Sequence, residues 1–287
     1  MTAWQRALGE NFLQMLFLDA KPNSFNTVSW PFFAPSIIDE EGVIRAICFV
    51  LAATDGGETV NKILTTIKKW IPKSQKSLRS MVSDAAITEF HLRAVFPNAD
   101  LLLCKWHLEA TDLPRQLSQI PGWESFKIDL KNALFNVETK PEFNAIWDTY
   151  SPEHATFKGQ SPRFMAAMTE LLSREREWAN YSTMHRASFG KNSNLAEIMN
   201  AKYQLITQSK VLEPINFVNL LIESLQQDMA NLKNMLDRRN ILESSKHYAP
   251  YVSDTATVKK LRPFFSDFAL KTFAEEEAES FLYIGTL

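Results

Sequence analysis

Apolar residues recur in two rhythms along this chain, and the change from one to the other divides it. Residues 12–18, FLQMLFL, form an apolar run of strand length that stops at Asp19, and the turn-forming cluster KPNSFN follows. SWPFFAPSII (29–38) is aromatic and β-branched, and its two prolines suit an edge strand because proline donates no ladder hydrogen bond. DEEG (39–42) reads as a hairpin turn into VIRAICFVLAAT (43–54), a long strand. From Gly56 to Trp70 the rhythm becomes helical, with Val60, Ile63, Leu64 and Ile67 on one face and Pro72 as the stop. LRSMVSD (78–84) returns to strand, AAITEFHLRAVF (85–96) predicts a helix stopped by Pro97, and ADLLLC (99–104) predicts another strand. The order β-β-β-α-β-α-β predicts an α/β fold: one mixed sheet, three antiparallel strands feeding two crossover units, with helices on its faces.

After His107 the strand patterns largely stop. Residues 108–190 read as helical, with breaks near Pro114, Pro121, Pro152 and Pro162, and a further helix is expected from Asn194 to about Ser209. Phe217, Leu221, Leu225, Met229, Leu232 and Leu236 mark a long amphipathic helix over 215–242, a core stripe or the seam of a homodimer. Another helix, rich in Phe, is expected over 262–284.

Composition narrows the classes. Two cysteines, Cys48 and Cys104, in 287 residues argue for a reducing compartment and against a disulfide framework. The run before Asp19 is too short to span a membrane and lacks a cleavage site, so the expectation is a soluble intracellular protein with no membrane partner. A net charge of −2 and a pI near 6.2 do not describe a polycation that grips nucleic acid everywhere. No G-x-G-x-x-G, P-loop, H-E-x-x-H or G-x-S-x-G occurs, which removes the common nucleotide-cradle, zincin and nucleophile-elbow readings.

The carboxylates remain. Right-handed crossovers place strand 78–83 beside strand 12–18 and parallel to it. Asp19 and Asp84 then end adjacent strands, about 4.8 Å apart in the pairing direction. Open α/β sheets bind ligands at that edge. Two carboxylates so close repel unless a cation lies between them, and Mg²⁺ suits such a pair. Taken singly, each Asp also reads as an ordinary turn residue. Cys104-x-x-His107 is half of a zinc pattern, but a structural zinc site needs four ligands and no second pair matches. It reads better as a buried thiol beside a hydrogen-bonded imidazole. The basic run KKWIPKSQKSLR (68–79) sits at the start of the strand that ends on Asp84, so it reads as a solvated face remote from that edge.

Three blocks carry a resemblance: LFLDA (16–20), VSDAAITEFHLRAVFPNADLLLCKWH (82–107), and REWANY with NSNLAEIMNAK (176–181 and 192–202). They resemble the Mutator-like element (MULE) transposase domain, kin to the plant far-red-response regulators and to transposase-derived SWIM-finger proteins. AVFPNADLLLCKWH is the most specific part, and the likeness extends over about residues 13–205. The resemblance implies a ribonuclease H-like sheet of strand order 3-2-1-4-5. It implies residues 1–120 as the first part of that core, 121–190 as a helical insertion, 191–210 as a core helix carrying the third acid, and 211–287 as a C-terminal helical region. It implies a D-D-E set at Asp19, Asp84 and Glu197, holding two Mg²⁺ or Mn²⁺ for DNA cleavage and strand transfer, with transposon ends and target DNA as partners. It makes His107, Arg186 and Lys191 contacts to DNA or substrate, and implies residence in the nucleus. By spacing alone Glu197 is also a helix-start residue, since Asn194-x-x-Glu197 is close to a capping box. The chain departs from the family at DAKPN (19–23), where a Thr-Tyr pair is usual. With two cysteines it has room for neither the zinc DNA-binding domain nor the SWIM finger. It therefore reads as an isolated catalytic core, a truncated copy, or a domesticated, noncatalytic interaction or transcription module.

Overall fold

The computed structural model of the protein describes residues 1–21, 25–39, 42–84, 86–109, 123–131, 135–150, 162–183, 195–208 and 210–244. Its centre is a five-stranded mixed sheet with helices, an α/β arrangement. The strands are β1 (Met15–Phe17), β4 (Ser36–Ile38), β5 (Ile44–Ala46), β7 (Ser80–Ser83) and β8 (Asp100–Leu103), in the order β5-β4-β1-β7-β8. β1, β7 and β8 are parallel, while β4 and β5 run antiparallel to their neighbours.

The start of the chain differs from the expected strand over 12–18. Helix α1 (Ala3–Phe12) takes Phe12, and β1 begins only at Met15. Thr2 explains the helix: its hydroxyl accepts from the Gln5 N–H while the Gln5 side chain returns to the Thr2 N–H, a capping box. At Gly9 the helix comes so close to Ile71 that a Cβ would lie 2.2 Å from Ile71 Cδ1.

The long strand expected over 43–54 is divided. After β5 the chain bends through Ile47–Phe49 and continues as β6 (Val50–Leu51), which belongs to a second, three-stranded sheet with β2 (Ala20–Lys21) and β3 (Phe32–Phe33). The same break cuts three successive strands. β1 passes to β2 at Leu18–Asp19, β3 passes to β4 at Ala34–Pro35, and β5 passes to β6 at Ile47–Phe49. At this seam Ile47 N–H donates to the Pro35 carbonyl at 2.8 Å, so the strands stay linked where their sheets part. Asp19 stands on the seam.

The β4–β5 hairpin closes through Asp39 and Gly42. Asp39 Oδ1 accepts from Val43 N–H, and its other oxygen pairs with Arg45 at 2.9 Å, both side chains nearly buried. Gly42 has φ 74°, in the left-handed region that a Cβ disfavours. Gly42→Ala is expected to destabilise the fold by about 1 kcal/mol, measurable as a lower urea midpoint at unchanged slope; an unchanged midpoint would show that the turn relaxes freely.

Helix α2 (Gly57–Trp70) buries the predicted stripe of Val60, Ile63, Leu64 and Ile67 in the main core, with Leu16, Leu18, Ile37, Met81 and Leu101 of the sheet. The helix expected over 85–96 is shorter. Helix α4 (Glu89–Arg93) starts at Thr88, whose side chain and that of His91 form a reciprocal cap, and the chain turns at Ala94.

A second core lies among residues 103–179, with Phe126, Phe143, Trp147 and Trp178 at its centre. Three side chains tie this region down. Lys105 Nζ donates to the Phe135 carbonyl, Arg174 donates to the Ile87 carbonyl at 2.8 Å, and Asn180 donates to the carbonyls of Asn136 and Val137. Helix Leu195–Ile206 lays Tyr203 edge-on against Phe32 and Phe49, and helix Pro214–Ser244 stacks Phe217 on Phe25. Of its expected stripe, Phe217, Leu221 and Leu225 are buried and Met229 is 39% exposed. The Phe-rich helix expected over 262–284 lies outside the described residues. Among those that are described, no helix is long and apolar enough to cross a membrane.

Candidate active site

Asp19 and Asp84 meet because β1 and β7 are paired in register. Met15, Leu16 and Phe17 stand opposite Ser80, Met81 and Val82. Leu18 N–H continues the ladder to the Val82 carbonyl at 2.9 Å. Two further residues along each strand reach Asp19 and Asp84, which therefore occupy matched positions at the carboxyl ends of neighbouring parallel strands. Both line one narrow recess, too tight as it stands to admit a water molecule, together with Phe17, Leu18, Val82, Ser83, Cys104 and His107. Asp84 is held by its own turn: Oδ1 accepts from Ala86 N–H at 3.1 Å, and Ser83 Oγ donates to the Asp84 carbonyl.

The third strand supplies the cationic group. Cys104 N–H donates to the Ser83 carbonyl at 2.7 Å, closing the β7–β8 ladder, and a single helical turn, α5 (Lys105–His107), brings His107 back over the edge. His107 Nε2 lies 3.7 Å from Asp19 Oδ1, with side-chain exposures of 12% and 7%. That is a charge contact, too long for a good hydrogen bond. Lys105 points the other way, over the Phe135 ring at 4.9 Å. Burial pulls the His107 pKa down. The hydrogen bond with Cys104 and the charges of Asp19, Cys104 and Asp84 outweigh it and raise the value to about 9. Cys48, by contrast, is buried and its thiol is pushed up to about 12, so it is no nucleophile at neutral pH.

A pH dependence follows. The folded protein keeps on His107 a proton that the unfolded chain releases near pH 6.5. Its stabilisation is complete below that pH and is lost as pH rises through about 9. Urea unfolding of metal-free protein is expected to show stability falling by on the order of 2 kcal/mol across this window, and His107→Gln is expected to flatten the fall. The same slope in both proteins would assign the proton elsewhere.

The oxygen donors of Asp19 and Asp84 fit a hard divalent cation, since Mg²⁺ is commonly held by one or two carboxylates and otherwise by water and phosphate. Among the described residues no group of three or more His, Cys, Asp or Glu side chains is placed to hold a metal ion. Among the described residues the carboxylates that line this edge are Asp19 and Asp84.

No protein-family model matches this chain, and no curated protein matches it in sequence. The site therefore rests on its own geometry.

The structure brings together three of the six expected site residues: Asp19, Asp84 and His107. Glu197 lies on helix Leu195–Ile206, with its side chain outside the described residues; Arg186 and Lys191 lie outside them altogether. Sequence reasoning did not single out Ser83 as a recess residue; it read Cys104 as a buried thiol beside a hydrogen-bonded imidazole, which is how the structure places it. The signal was the C-x-x-H spacing, which places a thiol at the end of β8 and an imidazole one turn later. The basic run over 68–79 precedes β7 and so lies toward the opposite end of the strand from Asp84, and Lys68 Nζ donates to the Val95 carbonyl.

Proposed function

We propose that the chain is the catalytic domain of a DDE-type DNA transposase of the Mutator-like group, performing metal-dependent DNA cleavage and strand transfer in the nucleus. One observation carries the reading: Asp19 and Asp84 occupy matched register positions at the carboxyl ends of adjacent parallel strands and line one recess. The sheet supports a ribonuclease H-like identity, because its own strands, counted in chain order, lie third, second, first, fourth, fifth. Asp19 and Asp84 hold the cations, and Glu197 is the third acid of the set. Two Mg²⁺ or Mn²⁺ supply Lewis acidity and a lowered water pKa at such a site. His107, which lines the recess beside Asp19, meets a phosphate oxygen that enters it, and Arg186 and Lys191 contact the DNA backbone.

The test is incubation of the full chain with labelled duplex and single-stranded DNA in Mg²⁺ or Mn²⁺. The expected result is nicked product that a chelator removes. Absence of nicking on every substrate, with no Mn²⁺ binding by titration, would sink the reading.

A second reading, a domesticated and noncatalytic interaction module, is favoured by the His107–Asp19 contact, in which the protein supplies its own counter-charge to a carboxylate. It predicts DNA or protein binding that survives Asp84→Asn unchanged.

A further inference from the structure

The chain between α2 and β7 folds as a compact turn. Ser74 N–H donates to the Ile71 carbonyl at 2.8 Å, which starts the short helix α3 (Ser74–Ser77), and Leu78 N–H closes it on the Ser74 carbonyl at 2.9 Å. Arg79 N–H then donates to the Gln14 carbonyl as β7 enters the sheet. Ile71, Ser74 and Leu78 recur every three or four residues and are buried. Lys69, Lys73, Lys76 and Arg79 recur at the same interval and are exposed. The buried set anchors the turn, and the exposed set forms a strip of four cations.

Four exposed cations elsewhere have carboxylate partners: Arg6 pairs with Glu10, Lys62 with Glu58, Arg93 with Glu89 and Lys131 with Glu109. Among the described residues no carboxylate pairs with any cation of the strip. Asp100 stands opposite Ser80, beside Arg79 in the ladder, and makes no ion pair with it. Like charges three and four residues apart repel one another. A chain of net charge −2 therefore holds a local concentration of unneutralised positive charge here, and a polyanion relieves it. Long, separate side chains in a row fit a row of phosphates better than a single bound anion.

Arg79 precedes β7 and Asp84 follows it, so the strip lies about 17 Å along the strand from the carboxylates. A straight duplex seated across the carboxyl edge leaves the opposite edge uncovered.

We propose that Lys69, Lys73, Lys76 and Arg79 grip the phosphate backbone of a DNA segment other than the one that enters the aspartate recess, without reading its sequence. The choice of DNA as the polyanion rests on the transposase reading; the strip itself needs neither metal nor the aspartates.

The probe is a fluorescein-labelled 20-base-pair duplex, titrated into the full chain with a chelator present and read by anisotropy from 50 to 200 mM salt. Each cation of the strip is expected to contribute about 0.9 to the slope of log affinity against log salt. Lys73→Gln with Lys76→Gln is expected to flatten that slope by about 2 and to weaken binding at least tenfold at 50 mM salt. The corresponding double Arg variant keeps both, and Lys131→Gln, which removes a cation already paired with Glu109, changes neither. Absence of binding, an unchanged slope in the double Gln variant, or an equal loss in Lys131→Gln would each overturn the proposal. So would uptake on phosphatidylserine vesicles that the duplex does not compete away. Salt-dependent binding lost in the double Gln variant, without nicking under Mg²⁺ or Mn²⁺, would keep the strip and remove the transposase; nicking with an unchanged slope would do the reverse.

Discussion

In the Asp84→Asn protein, metal-dependent nicking of DNA is expected to fall by at least about 10³-fold with the fold intact. The substitution is mild structurally. Asp84 Oδ1 accepts one hydrogen bond, from Ala86 N–H at 3.1 Å, and an asparagine oxygen accepts it equally well. What disappears is one of two negative charges at matched strand ends, and with it half of the pair proposed to hold a hard cation. Metal-free protein loses a like-charge repulsion between Asp84 and Asp19 and, against it, the attraction of Asp84 for the protonated His107, so its thermal midpoint is expected to stay nearly level. The rise in midpoint that Mn²⁺ produces in the parent protein is expected to vanish. Nicking assays and melting curves with and without Mn²⁺ check both points. Retained nicking, or a full Mn²⁺ response in the variant, would remove Asp84 from the chemistry.

Trp178→Ala is expected to cost about 3–5 kcal/mol, enough to unfold the helical region of a marginally stable chain. Trp178 is 1% exposed and its ring meets Phe135, Phe143 and Trp147. Its indole N–H donates to the Leu171 carbonyl at 2.9 Å, so truncation leaves a cavity and removes one of two hydrogen bonds to that carbonyl, the other coming from Arg174 N–H at 3.2 Å. Leu103 and Leu108 belong to the same cluster, which joins it to the end of β8 and the turn carrying His107. Loss of this core should therefore also disturb the aspartate edge. Circular dichroism in urea reads the first effect, and the His107 ring resonances read the second. A midpoint within about 1 kcal/mol of the parent would show that the helical region stands without this ring.

The parts of the fold legible in the sequence were those whose pattern has one period. Val60, Ile63, Leu64 and Ile67 could form only a helix face, and they are buried as one. Asp84 at the end of SMVS was readable because the alternation stops there. The first helix was missed even though Thr2-x-x-Gln5 is a capping signature, because Phe12 also extends the apolar run of β1 and the run was read as one element. The division of 43–54 had no local mark: Ile47, Cys48 and Phe49 are as apolar as their neighbours, and only pairing with Pro35 and Pro31 reveals the bend. At the site, both aspartates followed from strand order. The closeness of His107 to Asp19 did not, because it depends on a single turn of helix folding back over the edge.

The seam that cuts three strands at one level has a consequence for Asp19 and its neighbours. The aspartates ride on the ladder between β1 and β7, whereas helix Leu195–Ile206 is registered through Tyr203 on Phe32 and Phe49 of the second and third crossing strands. The spacing between that helix and the paired carboxylates is thus set by the dihedral angle between two sheets, like the opening of a pair of calipers whose jaws belong to different limbs. Two or three residues in each crossing strand fix that angle, with Pro35 in the middle one. A change at Pro35 would retune the distance without altering a single residue of the site.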